Sequence, residues 1–323
     1  MLKKIGRMVL KPGKQLTTIL IRRLLAGRFD EKDIFIITSS PRSGGTLLGK
    51  VLGAIPDSCT LFEPLHLKRV PEAEAAGFTW RTFVSREEKW PDGEAYLKHV
   101  FEGRIVNSWT AREISVREAY KSKRLIIKFV RANRLLPWIC HRFEVPAPIL
   151  LLRHPCAVIA SQLNYGWKNA TRPDSPPYLD EYPRFQTALA EVEGCEEFLA
   201  ATWALDQLSV LREQTPHPWI IVTYEELILH PERTLLRIVA NWNIDIDIDE
   251  ALSRLKKPSS VVSKSGISGI NGWKNVLSDK QVSRVLSTVN SFGLSFYSNN
   301  DEADYGELHS EELAKQIQKA GIG

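Results

Sequence analysis

The sequence is poor in cysteine and has no long apolar run. Its four cysteines, Cys59, Cys140, Cys156 and Cys195, are scattered, with no C-x-x-C pair and no histidine at metal-ligand spacing, which argues against a disulfide framework and against a zinc site. A reducing cytoplasm suits such isolated thiols. No segment reaches the roughly 20 apolar residues that a membrane span needs; the stretch Leu16 to Leu25 is interrupted by Arg22 and Arg23. No small-residue cleavage site follows it, so neither a signal peptide nor a transmembrane anchor is expected. Internal repeats and low-complexity tracts are missing too, which excludes solenoids and arrays. Acidic residues are absent from one place in particular. The first 28 residues carry Lys3, Lys4, Arg7, Lys11, Lys14, Arg22, Arg23 and Arg28 with nothing to balance them. Residues 1–30 are therefore set apart as a basic leader, read as a solvated, partly helical segment or, alternatively, as a peripheral contact for an acidic membrane or partner.

What remains has the makeup of a globular protein: 323 residues, 43% hydrophobic and 25% charged, enough for a substantial core. The formal charge of +5 is too weak to argue for nucleic acid and fits an anionic small ligand. Short β-branched runs alternate with helical patterns, the signature of a parallel sheet covered by helices on both faces. The expected strands are Ile34–Thr38, Thr60–Phe62, Leu125–Val130, Ile149–Leu152 and Ile220–Thr223. Arg184–Glu213 reads as one long helix with Trp203 in its apolar stripe. Two stretches lack such regularity, about 66–123 and 165–183. Placed after sheet strands or their helices, they are expected to wall the site and select the acceptor within a single α/β domain spanning 31–323.

The chemistry concentrates after the first strand. Ile34–Thr38 runs into Ser39-Ser40-Pro41-Arg42-Ser43-Gly44-Gly45-Thr46 and then into the helical Leu47-Leu48-Gly49-Lys50. Glycines let backbone N–H groups close around a phosphate, the helix start adds partial positive charge, and the two hydroxyls can donate. A nucleotide kinase loop would place lysine directly before the Ser/Thr. Here Gly45 stands there and the cation is Arg42, ahead of the glycines. A kinase is the enzymatic alternative, and a catalytically silent nucleotide-fold module the non-enzymatic one.

This arrangement resembles the sulfotransferases that use 3′-phosphoadenosine 5′-phosphosulfate (PAPS), and is closer to the carbohydrate and tyrosylprotein branches, with their Pro-Arg-Ser-Gly loop, than to the cytosolic ones. Three further blocks carry the resemblance in family order. Ile149–Leu152 leads into Arg153-His154-Pro155 and on to Ser161, similar to the family's 3′-phosphate motif; Thr223-Tyr224-Glu225-Glu226-Leu227 is similar to its adenine-contacting segment; and Lys264-Ser265-Gly266 through Trp273-Lys274-Asn275 is similar to its Gly-rich closing loop. The resemblance implies a P-loop-like sulfotransferase fold, PAPS as donor, adenosine 3′,5′-bisphosphate (PAP) as product, no metal, and a hydroxyl acceptor, a sugar or other alcohol. It implies nucleotide contacts from Arg42, Ser43, Gly44, Gly45, Thr46, Leu47, Arg153, Ser161, Tyr224, Lys264, Ser265 and Gly266. Glu63, in Phe62-Glu63-Pro64, matches the glutamate base of these branches. Val130 stands where cytosolic members carry a base histidine, which leaves Lys128 for the sulfuryl oxygens, with Arg42 on the departing phosphate. His66 and His154 are the other candidate bases.

Overall fold

In the computed structural model, which describes residues 12–214, 216–257 and 269–322, the strands form one parallel sheet. They are β1 (Ile34–Ser39), β2 (Ser58–Phe62), β3 (Arg124–Lys128), β4 (Ile149–Leu152) and β5 (Ile220–Thr223), in the order β2-β3-β1-β4-β5. The expected strands are all present, with ends moved by up to two residues. Every β1 position is buried, as a strand covered on both faces requires. Phe35 and Ile37 pack with the helices Gly45–Leu52 and Pro231–Trp242, while Ile34 and Ile36 face the opposite layer with Leu97, Val100 and Trp138. On that second face Leu150, Leu152 and Ile221 meet the helices Pro155–Asn164 and Cys195–Leu211. β1 lies between β3 and β4, so the chain leaves its carboxyl end at the point where strand order reverses, the place where open α/β sheets form a crevice.

Two expectations about helices need correction. Arg184–Glu213 is not one helix but two, Pro183–Glu191 and Cys195–Leu211. The break is at Gly194, whose φ of 90° and ψ of 163° no L-residue adopts without strain. Trp203 is in the core as expected, 2% exposed and beside Phe296 and Tyr297. The stretch 66–123 is also more regular than its composition implied, holding the helices Pro71–Ala75, Pro91–Phe101 and Val116–Lys121. The first two start on proline, whose missing N–H costs nothing there, and the third on a capping box between Ser115 and Glu118.

Of the basic leader residues 12–30 are described, and they hold the helix Pro12–Leu25, docked by the buried Ile21 and Leu25. Among the described residues no helix is long and apolar enough to cross a membrane.

Candidate active site

The carboxyl ends of β1, β3 and β4 open into a cavity of about 320 Å³. The loop after β1 forms its floor, with Arg42, Gly44, Gly45, Thr46 and Leu47 on its wall. The loop is pinned from below by a buried relay: Thr38 donates to Asn133 (2.8 Å), Asn133 to Gln207 (3.1 Å) and Gln207 to Ser40 (2.8 Å). Satisfied networks of this kind rigidify what they hold. At the start of the helix Gly45–Leu52 the first N–H groups have no intrahelical acceptor. Ser43 Oγ is buried and has no partner among the described residues, as a hydroxyl awaiting a phosphate oxygen would be.

Gly44 has a φ of 96°, and a Cβ built there would sit 2.4 Å from Cδ2 of Tyr224. Conformation and space both demand glycine. The variant Gly44→Ala is expected to lose about 1–3 kcal/mol of stability and to bind nucleotide poorly, which thermal melting and calorimetry would read; an unchanged melting temperature would contradict the cradle geometry.

Two guanidinium groups meet over this floor. Arg42 Nε donates to Ser161 Oγ at 2.9 Å, and Arg153 Nη1 donates to the Arg42 carbonyl at 3.1 Å. Arg153 lies 4.1 Å above the Tyr224 ring, and its Nε is buried without a partner among the described residues. Burial first, opposed by Tyr165 and reinforced by the charge of Arg153, pulls the Arg42 pKa below its usual value. Such convergence of like charge is costly unless an anion is shared between them. Arg42, Arg153, Ser161 and Tyr224, from three separate segments, line this cavity together.

On the opposite wall, Lys128 ends β3 and pairs with Glu63 just past β2, Nζ to Oε1 at 2.5 Å. The Lys128 side chain is 4% exposed and that of Glu63 16%. Burial lowers the Lys128 pKa, and the Glu63 carboxylate opposes that shift. The lysine also reaches the loop: a Cβ added at Gly45 would lie 3.2 Å from Lys128 Cε. One ammonium therefore spans the phosphate cradle and the carboxylate. His66 lines the same cavity between Trp80 and Trp109, its Nδ1 buried and unpartnered among the described residues and its pKa lowered chiefly by burial.

Backbone strain gathers here as well. Among the described residues the non-glycine positions at positive φ are Arg42 (78°), Asp57 (51°), Glu63 (43°), Arg131 (70°) and Asn243 (50°), and three of them line this cavity. Strained residues of this kind persist where surrounding bonds over-determine them, commonly at functional sites. Glu63 is held by its N–H on the Lys128 carbonyl (2.8 Å), and Arg131 by its N–H on Ser39 (3.1 Å).

Arg131 is one residue of this lining that sequence reasoning missed. Its guanidinium lies 4.8 Å from the Trp80 ring and 5.8 Å from Trp167, one from each irregular stretch. Arg112, 3.5 Å from the centre of the Phe62 ring, was missed too. Val130, whose position was legible, does line the cavity. Lys264, Ser265 and Gly266 lie outside the described residues.

His154 is a correction: it does not reach the cavity. It is fully buried, stacked on Trp273 at 4.6 Å, with Nε2 against the Ser298 carbonyl (2.9 Å) and Nδ1 accepting from the Cys156 N–H (3.2 Å). Both ring nitrogens are used by a neutral imidazole, and burial, only partly offset by Ser298, pulls the pKa down to about 4. Because the folded state disfavours the proton, this histidine contributes stability that is complete above the unfolded value near 6.5 and is lost as pH falls towards 4. Urea titrations at pH 7 and pH 5 should differ by about 2 kcal/mol from this group alone, and His154→Gln should remove that part of the decline. Equal declines in both proteins would refute the assignment.

Comparison with known proteins gives one match in sequence: residues 33–248 match the model of the sulfotransferase family. No curated protein matches the chain. Among solved structures the chain is similar to mouse sulfotransferase SULT7A1 complexed with PAP, at 16% identity over 93% of each chain with a TM-score of 0.46. It is similar also to the sulfotransferase domain of the Synechococcus PCC 7002 olefin synthase, at 18% identity over 85% of this chain and 98% of that one with a TM-score of 0.42. A sulfotransferase from Alicyclobacillus acidocaldarius is 12% identical over 81% of this chain and 93% of that one, with a TM-score of 0.42.

Proposed function

The chain belongs to the sulfotransferase family, and from that premise we propose that it transfers a sulfuryl group from PAPS to a hydroxyl acceptor, in the manner of the carbohydrate and tyrosylprotein branches. The observation that carries this reading is the pair Arg42 and Arg153, two guanidiniums converging beside an unpartnered Ser43 hydroxyl at a helix start. A nucleotide bisphosphate supplies the two anionic groups that such a wall lacks, and PAPS additionally supplies an activated sulfuryl group.

In this reading the loop N–H groups of Gly44, Gly45 and Thr46, with Ser43 and Leu47, hold the 5′-phosphate. Arg153 and Ser161 hold the 3′-phosphate, and Tyr224, already under Arg153, contacts the base. Sulfuryl transfer resembles phosphoryl transfer in relying on alignment and on neutralising charge at the departing oxygen. Arg42 supplies that charge from the loop. It stays protonated throughout, so it acts by charge and hydrogen bond. Lys128, lying against Gly45 and paired with Glu63, steadies the sulfuryl oxygens on one side and the carboxylate on the other. Glu63 takes the acceptor's proton as the oxygen attacks in line. Among the described residues no group of three His, Cys, Asp or Glu side chains could hold a metal.

The rest of the lining, with His66, Trp109 and Arg112 from the first long insertion and Trp167 and Tyr165 from the second, the last with the Arg42 guanidinium 5.0 Å from its ring centre, contacts the acceptor. Calorimetry with PAP and transfer of labelled sulfate from PAPS to a panel of hydroxyl compounds test the proposal together. Failure of the wild type to bind PAP would overturn it, and magnesium-dependent ATP turnover without response to PAPS would favour a kinase instead.

A further inference from the structure

Beside the site lies a second cavity of about 610 Å³, walled by 79–83 of the first insertion and 171–177 of the second. Arg131 and Trp80 form the partition: Arg131 lines the first cavity, Trp80 lines the second, and they are stacked at 4.8 Å. The second cavity is lined by Arg81, Arg134 and Arg172. Arg134 is 5% exposed, and its Nε bonds Asp206 Oδ1 at 2.9 Å; Arg81 Nε approaches the same oxygen at 3.6 Å. Neither pairing is complete, since Arg134 Nη2 and Arg81 Nε, and on the acid Asp206 Oδ2, are buried without a hydrogen-bond partner among the described residues.

The charges do not balance. Arg81, Arg134 and Arg172 on the cavity wall, with Arg131 at the partition, face Asp206 below and Asp174 on the rim, and Glu63 is engaged by Lys128. Four guanidiniums against two carboxylates leave a surplus of two positive charges, with Arg134 buried, Arg81 and Arg131 half-buried and Arg172 exposed. The surplus is felt next door, where burial and then the charge of Arg81 lower the Arg131 pKa to about 10. Uncompensated buried charge is destabilising unless a counter-charge arrives. Thr79, Thr82 and Thr171 add hydroxyls to the same walls.

We propose that this cavity is an outer subsite for the acceptor and binds an oxyanion, so that the alcohol presented to Glu63 carries a carboxylate, sulfate or phosphate of its own. The inference rests on the sulfotransferase reading for the orientation of the acceptor, with its hydroxyl at Glu63 and its anionic group beyond the Arg131–Trp80 partition. Planar guanidiniums suit oxyanions because they can engage two oxygens at once.

The test is calorimetry on the full chain saturated with PAP, using trigalacturonate, glycerol 3-phosphate and maltotriose as probes. At least one anionic probe should bind tenfold or more tightly than neutral maltotriose. Arg81→Gln and Arg172→Gln should each weaken that binding about tenfold and leave PAP affinity unchanged. A preference for trigalacturonate marks an acidic sugar, and one for glycerol 3-phosphate marks a phosphorylated alcohol. The proposal is overturned if neither anion binds, if maltotriose binds as well, or if both variants bind like the wild type. Should PAP itself fail to bind, the donor reading fails, and the same titration on the free chain with its two variants still decides the subsite.

Discussion

Replacing Glu63 with glutamine is expected to lower the rate of sulfate transfer by about 10²–10⁴-fold, the range lost with a general base, while PAP binding stays within about twofold. The variant is informative because it changes so little else. Glutamine keeps the volume, and its carbonyl oxygen can still accept from Lys128, whose buried ammonium would otherwise be stranded. The strained backbone at residue 63 is held by main-chain bonds, from its own N–H to Lys128 and from the His66 N–H to its carbonyl, neither of which the change touches. The change removes the proton affinity together with the negative charge that supports the Lys128 ammonium, so part of the loss passes through Lys128. Labelled-sulfate transfer from PAPS, read beside calorimetry with PAP, separates a lost base from a lost fold. His66→Gln should cost much less; if it instead reproduces the full loss and Glu63→Gln remains near wild-type activity, the base is the histidine.

Much of this arrangement was legible in the sequence, and the exceptions at the site itself come from side-chain direction. The strands could be read because burial on both faces demands unbroken apolar runs such as Ile34–Ile37 and Ile149–Leu152. The phosphate loop could be read because glycine, hydroxyl and cation must be neighbours along the chain to act together. The position of Glu63 was legible because it follows Phe62, the last residue of β2, at the same sheet edge as the loop. Side-chain direction is different. His154 follows Arg153 directly, yet one residue enters the cavity and the other is sealed behind Trp273. Arg131 drew no notice because its place depends on a positive φ and on tryptophans contributed by two distant stretches. The helix break at Gly194 was available as a glycine, but an apolar stripe on both sides concealed it. For Val116–Lys121 the signal was present and local, Ser115 three residues before Glu118.

The second large effect concerns the donor. Arg153→Ala is expected to weaken PAP binding by about 10- to 100-fold, the equivalent of losing one charge-assisted, forked contact to phosphate. Arg153 is 7% exposed and has three distinct relations: Nη1 on the Arg42 carbonyl, its face over Tyr224, and Nε without a partner among the described residues. The first two place the guanidinium, and the third leaves it a donor to give. Removal also frees the Arg42 carbonyl and the Tyr224 ring, so part of the loss comes from a loosened loop. Arg153→Lys separates these contributions. It restores a positive charge but neither the planar stack on Tyr224 nor the fork, so it should recover only a minority of the lost affinity. At saturating PAPS the rate should fall much less than kcat/KM for PAPS, because the proposed placement sets Arg153 at the end of the nucleotide away from the reacting sulfur. Undiminished PAP binding by Arg153→Ala would sink the placement of the 3′-phosphate, and a loss confined to the rate at saturation would move Arg153 to the transferring group instead.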